Sequence, residues 1–284
     1  MPPPLLTRRS FLAATGGLMV AAACGSSGSG DDGAVAQGEG LSALLLATDL
    51  YASDAPQRFV FGLAEGREYT SGPPATIAFA LNQGQLGESL PTALHSVGLP
   101  SGRGVYTVDA SFPEPGVWLG LVSVEGEEAE IAFQVQEQPT ALVPGAAAPR
   151  APSPTVADPM GVEPLCTRDP DCSLHDRSLD ELLGTGKPVA VLFATPARCS
   201  SQYCGPVLDE LLTLVDDYRE RIDFVHVEIY MADTGVETVP TVQAWNLATE
   251  PWLYGVDPSG TIASRLDGAF GRDEVRALLD TLAA

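Results

Sequence analysis

Residues 188–212 constrain the fold more than any other stretch of this chain: Pro188-Val-Ala-Val-Leu-Phe-Ala-Thr195-Pro-Ala-Arg-Cys199-Ser-Ser-Gln-Tyr-Cys204-Gly205-Pro206-Val-Leu-Asp-Glu-Leu-Leu212. The unbroken apolar run Val189–Ala194 predicts a strand buried on both faces. Two cysteines and Gly-Pro follow, and apolar positions from Val207 to Tyr218 then recur at helical spacing. A cysteine at such a strand-to-helix junction lies near unpaired amides and the positive end of the helix dipole. Both favour the thiolate, which is the reactive form.

Around this segment the C-terminal part has a readable order. Ser178-Leu-Asp-Glu181 predicts a capping box opening a short helix, with Gly184 closing it. A strand over 189–194, a helix over about 206–219 and a strand over 222–229 then form a βαβ unit. A short helix near 241–246 follows, then strands over 252–257 and 261–266 joined by the turn Asp257-Pro-Ser-Gly260, and a final helix over 272–282.

Order and cysteines together make residues 161–284 resemble thioredoxin-like proteins, with Cys199-x4-Cys204-Gly205-Pro206 in place of the usual Cys-Gly-Pro-Cys. The resemblance implies an α/β thioredoxin-like domain and thiol–disulfide exchange at Cys199 and Cys204. Cys199 is expected as the exposed nucleophile and Cys204 as the resolving partner, although the aligned Cys-Gly-Pro also allows the reverse. The family places a cis-proline before the strand that faces its cysteines. Pro240 and Pro251 both qualify, and Pro251 is chosen because it leads directly into the hairpin. Val207 occupies the usual second-cysteine position, Arg198 that of a tryptophan, and Leu192 that of a buried acid, leaving His226 as the candidate base. A Cys199–Cys204 bond requires Cys199 to lie in the loop, because residues i and i+5 of one helix are about 8 Å apart.

Residues 41–137 have a different character. Strands are predicted over Leu44–Leu50, Arg58–Leu63, Thr76–Leu81, Val105–Phe112, Val117–Val124 and Ala129–Val135, separated by turns such as Pro113-Glu-Pro-Gly116. Short alternating strands with regular turns predict an all-β, immunoglobulin-like sandwich. Gly104-Val-Tyr-Thr-Val and Pro113-Glu-Pro-Gly-Val-Trp118 resemble a strand pair of exported Ig-like modules. Here Trp118 is expected in the core and His95 in a loop. The Pro/Ala-rich stretch 138–160 lacks periodicity and predicts a semi-extended linker.

The N-terminus predicts export. Thr7-Arg8-Arg9-Ser10-Phe11-Leu12 precedes an apolar run ending at Ala23, then Cys24 and a Gly/Ser-rich tract. The paired arginines resemble a twin-arginine signal. Ala21-Ala22-Ala23-Cys24 resembles a bacterial lipobox, so residues 1–23 are expected as a signal peptide. Cys24 is then the lipidated first residue of a spacer over 24–40. Phe11–Ala23 would make about 20 Å of helix against a hydrocarbon core of roughly 30 Å, too short for a span.

The expected location is therefore the extracytoplasmic face of the cell membrane, and cysteine usage fits export. Removing residues 1–23 takes away Arg8 and Arg9 and no acid, lowering the net charge from −22 to −24. So acidic a chain is not a nucleic-acid binder, and it does not dock electrostatically on anionic lipid. The four cysteines beyond Cys24 permit three pairings, and the sequence-local pairs Cys166–Cys172 and Cys199–Cys204 are the simplest. The Asp169-Pro170 turn suits Cys166–Cys172 as a structural staple. Expected partners are exported thiol-containing proteins, with no cofactor and no metal. Two competing readings stand: a non-catalytic binding or assembly module with two structural disulfides, or a Sco-like copper site built from Cys199, Cys204 and either His175 or His226.

Overall fold

The apolar run 189–193 is the centre of a four-stranded sheet. The computed structural model describes residues 40–284 apart from Gln83, Ser200 and Asp233. The predicted signal 1–23, Cys24 and the spacer up to residue 39 lie outside the described residues. Among the described residues thirteen strands dominate and four helices accompany them. The strands are β1 (Leu41–Leu45), β2 (Ser53–Glu65), β3 (Glu68–Thr70), β4 (Ala75–Leu81), β5 (Leu90–Pro91), β6 (Ala93–His95), β7 (Val105–Phe112), β8 (Gly116–Val124), β9 (Glu127–Val135), β10 (Val189–Phe193), β11 (Asp223–Val227), β12 (Trp252–Val256) and β13 (Ile262–Asp267). The helices are α1 (Leu179–Leu182), α2 (Cys204–Tyr218), α3 (Pro240–Ala244) and α4 (Arg272–Leu282).

The N-terminal strands form two antiparallel sheets, ordered β1-β2-β7-β6 with β3 on β2, and β5-β4-β8-β9. Their inner faces meet in an aromatic core. The Phe59 ring lies 5.0 Å from Phe79 and 4.9 Å from Phe133, and Phe112 lies 5.4 Å from Phe133. Alternation along β9, with Ala129, Ile131, Phe133 and Val135 buried and their neighbours exposed, sets which face turns inward. Trp118 is only partly buried, at the rim of this core, and its indole N–H donates to the Glu114 carbonyl. The predicted first strand is displaced: pairing with β2 holds residues 41–45, while 46–50 leave the strand.

The third sheet is ordered β11-β10-β12-β13, with β10 parallel to β11 and antiparallel to β12. Both faces of β10 are covered. Val189, Val191 and Phe193 pack with α1, α3 and Trp245, while Ala190, Leu192 and Ala194 pack with α2 and α4. This double burial explains why the run does not alternate. The capping box predicted at Ser178 does not form. Its hydroxyl instead donates to Asp180 and accepts from the Ser153 amide.

Segment 138–160 is extended but not free. Its Gly145 and Ala148 amides donate to Ile262 and Gly260, and the Ile262 amide donates to Ala146. The stretch therefore satisfies the open edge beside β13, the usual liability of a terminal strand. At the opposite edge the β11 residue His226 donates its amide to the Leu174 carbonyl, so residues preceding α1 cover that side.

Side chains tie the sandwich sheets to the third sheet. Arg58 of β2 donates to the Asp267 and Ala269 carbonyls and pairs with both carboxylate oxygens of Glu274 on α4. Arg265 of β13 pairs with the fully buried Asp49 carboxylate at 2.8 Å. His95, expected in a loop, is the last residue of β6. Its ring bridges Asp273 Oδ2 at 2.5 Å and Thr107 Oγ1 at 2.8 Å, because β6 runs against the start of α4.

Candidate active site and an adjoining thiol–imidazole cluster

Cys199 and Cys204 form a disulfide, with a Cα–Cα distance of 5.8 Å. The geometry resolves the spacing problem: Cys199 lies in the loop after β10, and Cys204 is the first residue of α2 rather than lying before a helix that starts at Pro206. Gln202, at a positive φ of 61°, turns the chain between them. Cys199 is partly exposed and Cys204 fully buried. The Cys204 amide, one of the unpaired donors opening α2, points at Cys199 Sγ at 3.3 Å, and the Ser201 hydroxyl lies 3.1 Å from the same sulfur. Once the bond is reduced, both favour Cys199 as the thiolate.

The loop carrying Cys199 is anchored on each side. Arg198 donates to the Ala232 carbonyl at 2.6 Å and to the Gly235 carbonyl, and its guanidinium stacks 4.3 Å from the centre of the Tyr230 ring. Tyr203, next to Cys204, is buried, and its hydroxyl donates to the Arg103 carbonyl of the sandwich at 3.4 Å. Burial pushes that phenol up to about 12.

The acid beside the disulfide is Glu250, which sequence reasoning missed. Its Oε2 accepts from the Thr195 amide at 2.7 Å and lies 3.4 Å from Cys204 Sγ. Burial raises its carboxyl to about 7, against the stabilising Thr195 amide. The Glu250–Pro251 peptide is cis, and Pro251 leads into β12, whereas Pro240 is the first residue of α3. The available signal was the Glu-Pro pair itself: the residue before the chosen proline is fixed in place with it.

His226 requires a correction. It was expected as the base beneath Cys199 and Cys204, but its ring turns elsewhere. Nε2 sits 3.0 Å from the Ala194 carbonyl, which can only accept, so Nε2 carries the proton. Nδ1 faces His175 Nε2 at 3.1 Å, Cys172 Sγ at 3.4 Å and Cys166 Sγ at 3.9 Å.

Cys166 and Cys172 are corrected with it. They were expected as a disulfide staple and are free thiols, both turned toward the His226 ring. The Cys172 amide points at Cys166 Sγ at 3.4 Å. Hydrogen bonding from the Cys172 thiol, and then from the two imidazoles, draws Cys166 well below the usual thiol range despite its burial. The copper grouping of Cys199 and Cys204 with a histidine is also not what forms: the two histidines gather with Cys166 and Cys172.

The cluster reaches the disulfide loop through Thr167. That residue donates its amide and hydroxyl to Glu228, while its Oγ1 accepts from the Ala197 amide at 3.1 Å.

No family profile matches the chain, and no curated protein matches it. Among solved structures it is similar to a protein named as a thiol:disulfide interchange protein, DsbE, of Chlorobium tepidum. That match has 15% identity and a TM-score of 0.37, covering 51% of this chain and all of that one. A metagenome-derived glycoside hydrolase family 9 endoglucanase matches at 24% identity and a TM-score of 0.24, over 34% of this chain and 18% of its own. A superoxide reductase (neelaredoxin) of Ignicoccus hospitalis matches at 11% identity and a TM-score of 0.23, over 35% of this chain and 82% of its own.

Proposed function

We propose that this chain is a lipid-anchored, extracytoplasmic thiol–disulfide exchange protein. In this reading residues 161–284 are a thioredoxin-like domain, 41–137 an Ig-like sandwich, and Cys24 the anchor. The observation that carries it is the Cys199–Cys204 disulfide at the N-terminus of α2, with its inner sulfur 3.4 Å from the Glu250 carboxylate.

The chemistry follows from which sulfur is reachable. A thiolate of an exported partner attacks the partly exposed Cys199 Sγ, forming a mixed disulfide and breaking the Cys199–Cys204 bond. Cys204 leaves as a thiolate and takes the Glu250 proton, which a carboxyl near 7 supplies at neutral pH. A second partner thiolate then attacks the partner's own sulfur and releases Cys199, stabilised by the α2 amides. The partner is oxidised by two electrons and the protein reduced by two. The same steps reversed reduce a partner disulfide, with Glu250 then accepting the Cys204 proton.

Redox titration of the full chain in a thiol buffer, read by alkylation and mass, tests this function. The Cys199–Cys204 couple is expected above the roughly −300 mV that marks structural disulfides. A lower potential, with no exchange on a disulfide-bonded substrate, would leave the pair as a structural bond.

A further inference from the structure

We infer that Cys166, Cys172, His175 and His226 form a closed, tetrahedral Zn(II) site, separate from the exchange disulfide and independent of the exchange reading. Their ligand atoms, two sulfurs and two ring nitrogens, all lie within 4.8 Å of one another. Zn–S bonds of about 2.3 Å and Zn–N bonds of about 2.0–2.1 Å fix the edges of a tetrahedron at about 3.8 Å for S–S, 3.6 Å for S–N and 3.3 Å for N–N. The observed edges at His226 Nδ1 are 3.1 Å to His175 Nε2, 3.4 Å to Cys172 Sγ and 3.9 Å to Cys166 Sγ. The three edges at His226 thus lie within about 0.3 Å of tetrahedral lengths.

The surroundings are those of a ligand set. The Nε2 proton of His226 is committed to the Ala194 carbonyl, leaving the Nδ1 lone pair directed into the cluster. This is the usual outer contact that fixes a metal-binding imidazole. The Cys172 amide points at Cys166 Sγ, a contact that favours thiolate. Cys166, His175 and His226 are buried, and Cys172 is partly so. Two thiolates and one divalent ion are neutral together, which suits a site shut away from water. With all four positions held by protein, the site is closed to substrate, and its work is structural. It joins the 166–175 segment to β11 beneath the loop that carries Cys199.

The test uses the full chain, reduced under anaerobic conditions, with Cys199 and Cys204 both changed to Ser so that the exchange pair cannot contribute. Addition of Zn(II) alone should give one equivalent bound, measured by competition with a chromophoric chelator. Co(II) in its place should give thiolate-to-metal charge transfer and the intense visible bands of a tetrahedral site. His175→Asn and Cys166→Ser, made separately, should each weaken Zn(II) by more than the roughly 10–100-fold that loss of an outer partner costs. The Co(II) spectrum needs no ligand variant, so a variant that fails to fold leaves the proposal testable. Three results would overturn it: no uptake by the folded, reduced chain, an octahedral Co(II) spectrum without charge transfer, or a native Cys166–Cys172 disulfide that persists under those reducing conditions.

Discussion

Glu250 Oε2 stands 3.4 Å from Cys204 Sγ, and the same oxygen accepts the Thr195 amide at the end of the β10 run. A carboxyl in this position is buried by the packing that buries the inner sulfur, which is why it titrates near 7. Attack by a small thiol on the oxidised protein, expressed per thiolate, should therefore fall as pH rises through about 7. Glu250→Gln should lose that inflection and slow the step by roughly 10²-fold. An unchanged profile in the variant would remove Glu250 from the chemistry.

The same group makes a stability prediction with a definite sign. Its folded value, about 7, lies above its ordinary 4.5, so the folded protein holds this proton more tightly than the unfolded chain. That contribution is full below about pH 4.5 and is lost as pH rises through about 7. The midpoint of thermal unfolding of the wild type, relative to Glu250→Gln, should fall across this window. A constant difference between the two proteins from pH 4 to pH 8, as approximate limits, would contradict it.

Exposure of Cys199 and burial of Cys204 predict which single variant traps a partner. Cys204→Ser should accumulate mixed disulfides formed when Cys199 attacks the disulfide of an exported partner, since the adjacent Cys204 thiol that would displace the partner is gone. Cys199→Ser should trap little. Non-reducing electrophoresis followed by mass spectrometry reads the difference, and trapping by Cys199→Ser alone would reverse the two roles.

Much of this arrangement was legible in the chain. The boundaries of β7 and α4 match the sequence expectation residue for residue: helical spacing in 272–282 buries one face of α4, while β7 is buried on both faces over 105–107 and alternates only from 109 to 112. The junction of β10 and α2 was equally readable, since a run buried on both faces followed by Gly-Pro has few alternatives. Contacts between segments far apart in sequence were not. Glu250 reaches Thr195 across 55 positions, and His175 meets His226 across 51. Local pairing of Cys166 with Cys172 looked simplest because spacing carries no information about a histidine on β11. Segment 138–160 looked like a linker for a related reason: docking on the edge of β13 uses backbone groups, which leave no periodic signature.

Lipid anchoring has its own test. The Ala21-Ala22-Ala23-Cys24 junction predicts cleavage before Cys24 and acyl chains on the new N-terminus. Intact mass of the membrane-extracted protein should show both, and Cys24→Ser should release the protein from the membrane fraction. A mature chain that starts elsewhere and carries no lipid would remove the anchor.

Arg58 and Glu274 supply the last prediction, on how the sandwich strands are held to the third sheet. The Arg58 guanidinium makes a two-point contact with Glu274, at 2.7 and 3.1 Å, and also caps the Asp267 and Ala269 carbonyls. Both side chains are largely withdrawn from solvent, at 14% and 10% exposure, so the pair is not the weak surface kind. Arg58→Met leaves a mostly buried carboxylate and two carbonyls without their donor, and should cost about 2–4 kcal/mol. Glu274→Gln alone should cost less, because the amide oxygen still accepts from Arg58. Combining them should recover part of the sum, with a coupling of about 1–3 kcal/mol in urea unfolding. Additive effects within about 0.5 kcal/mol would mean that the two side chains act independently and that the clasp contributes nothing as a pair.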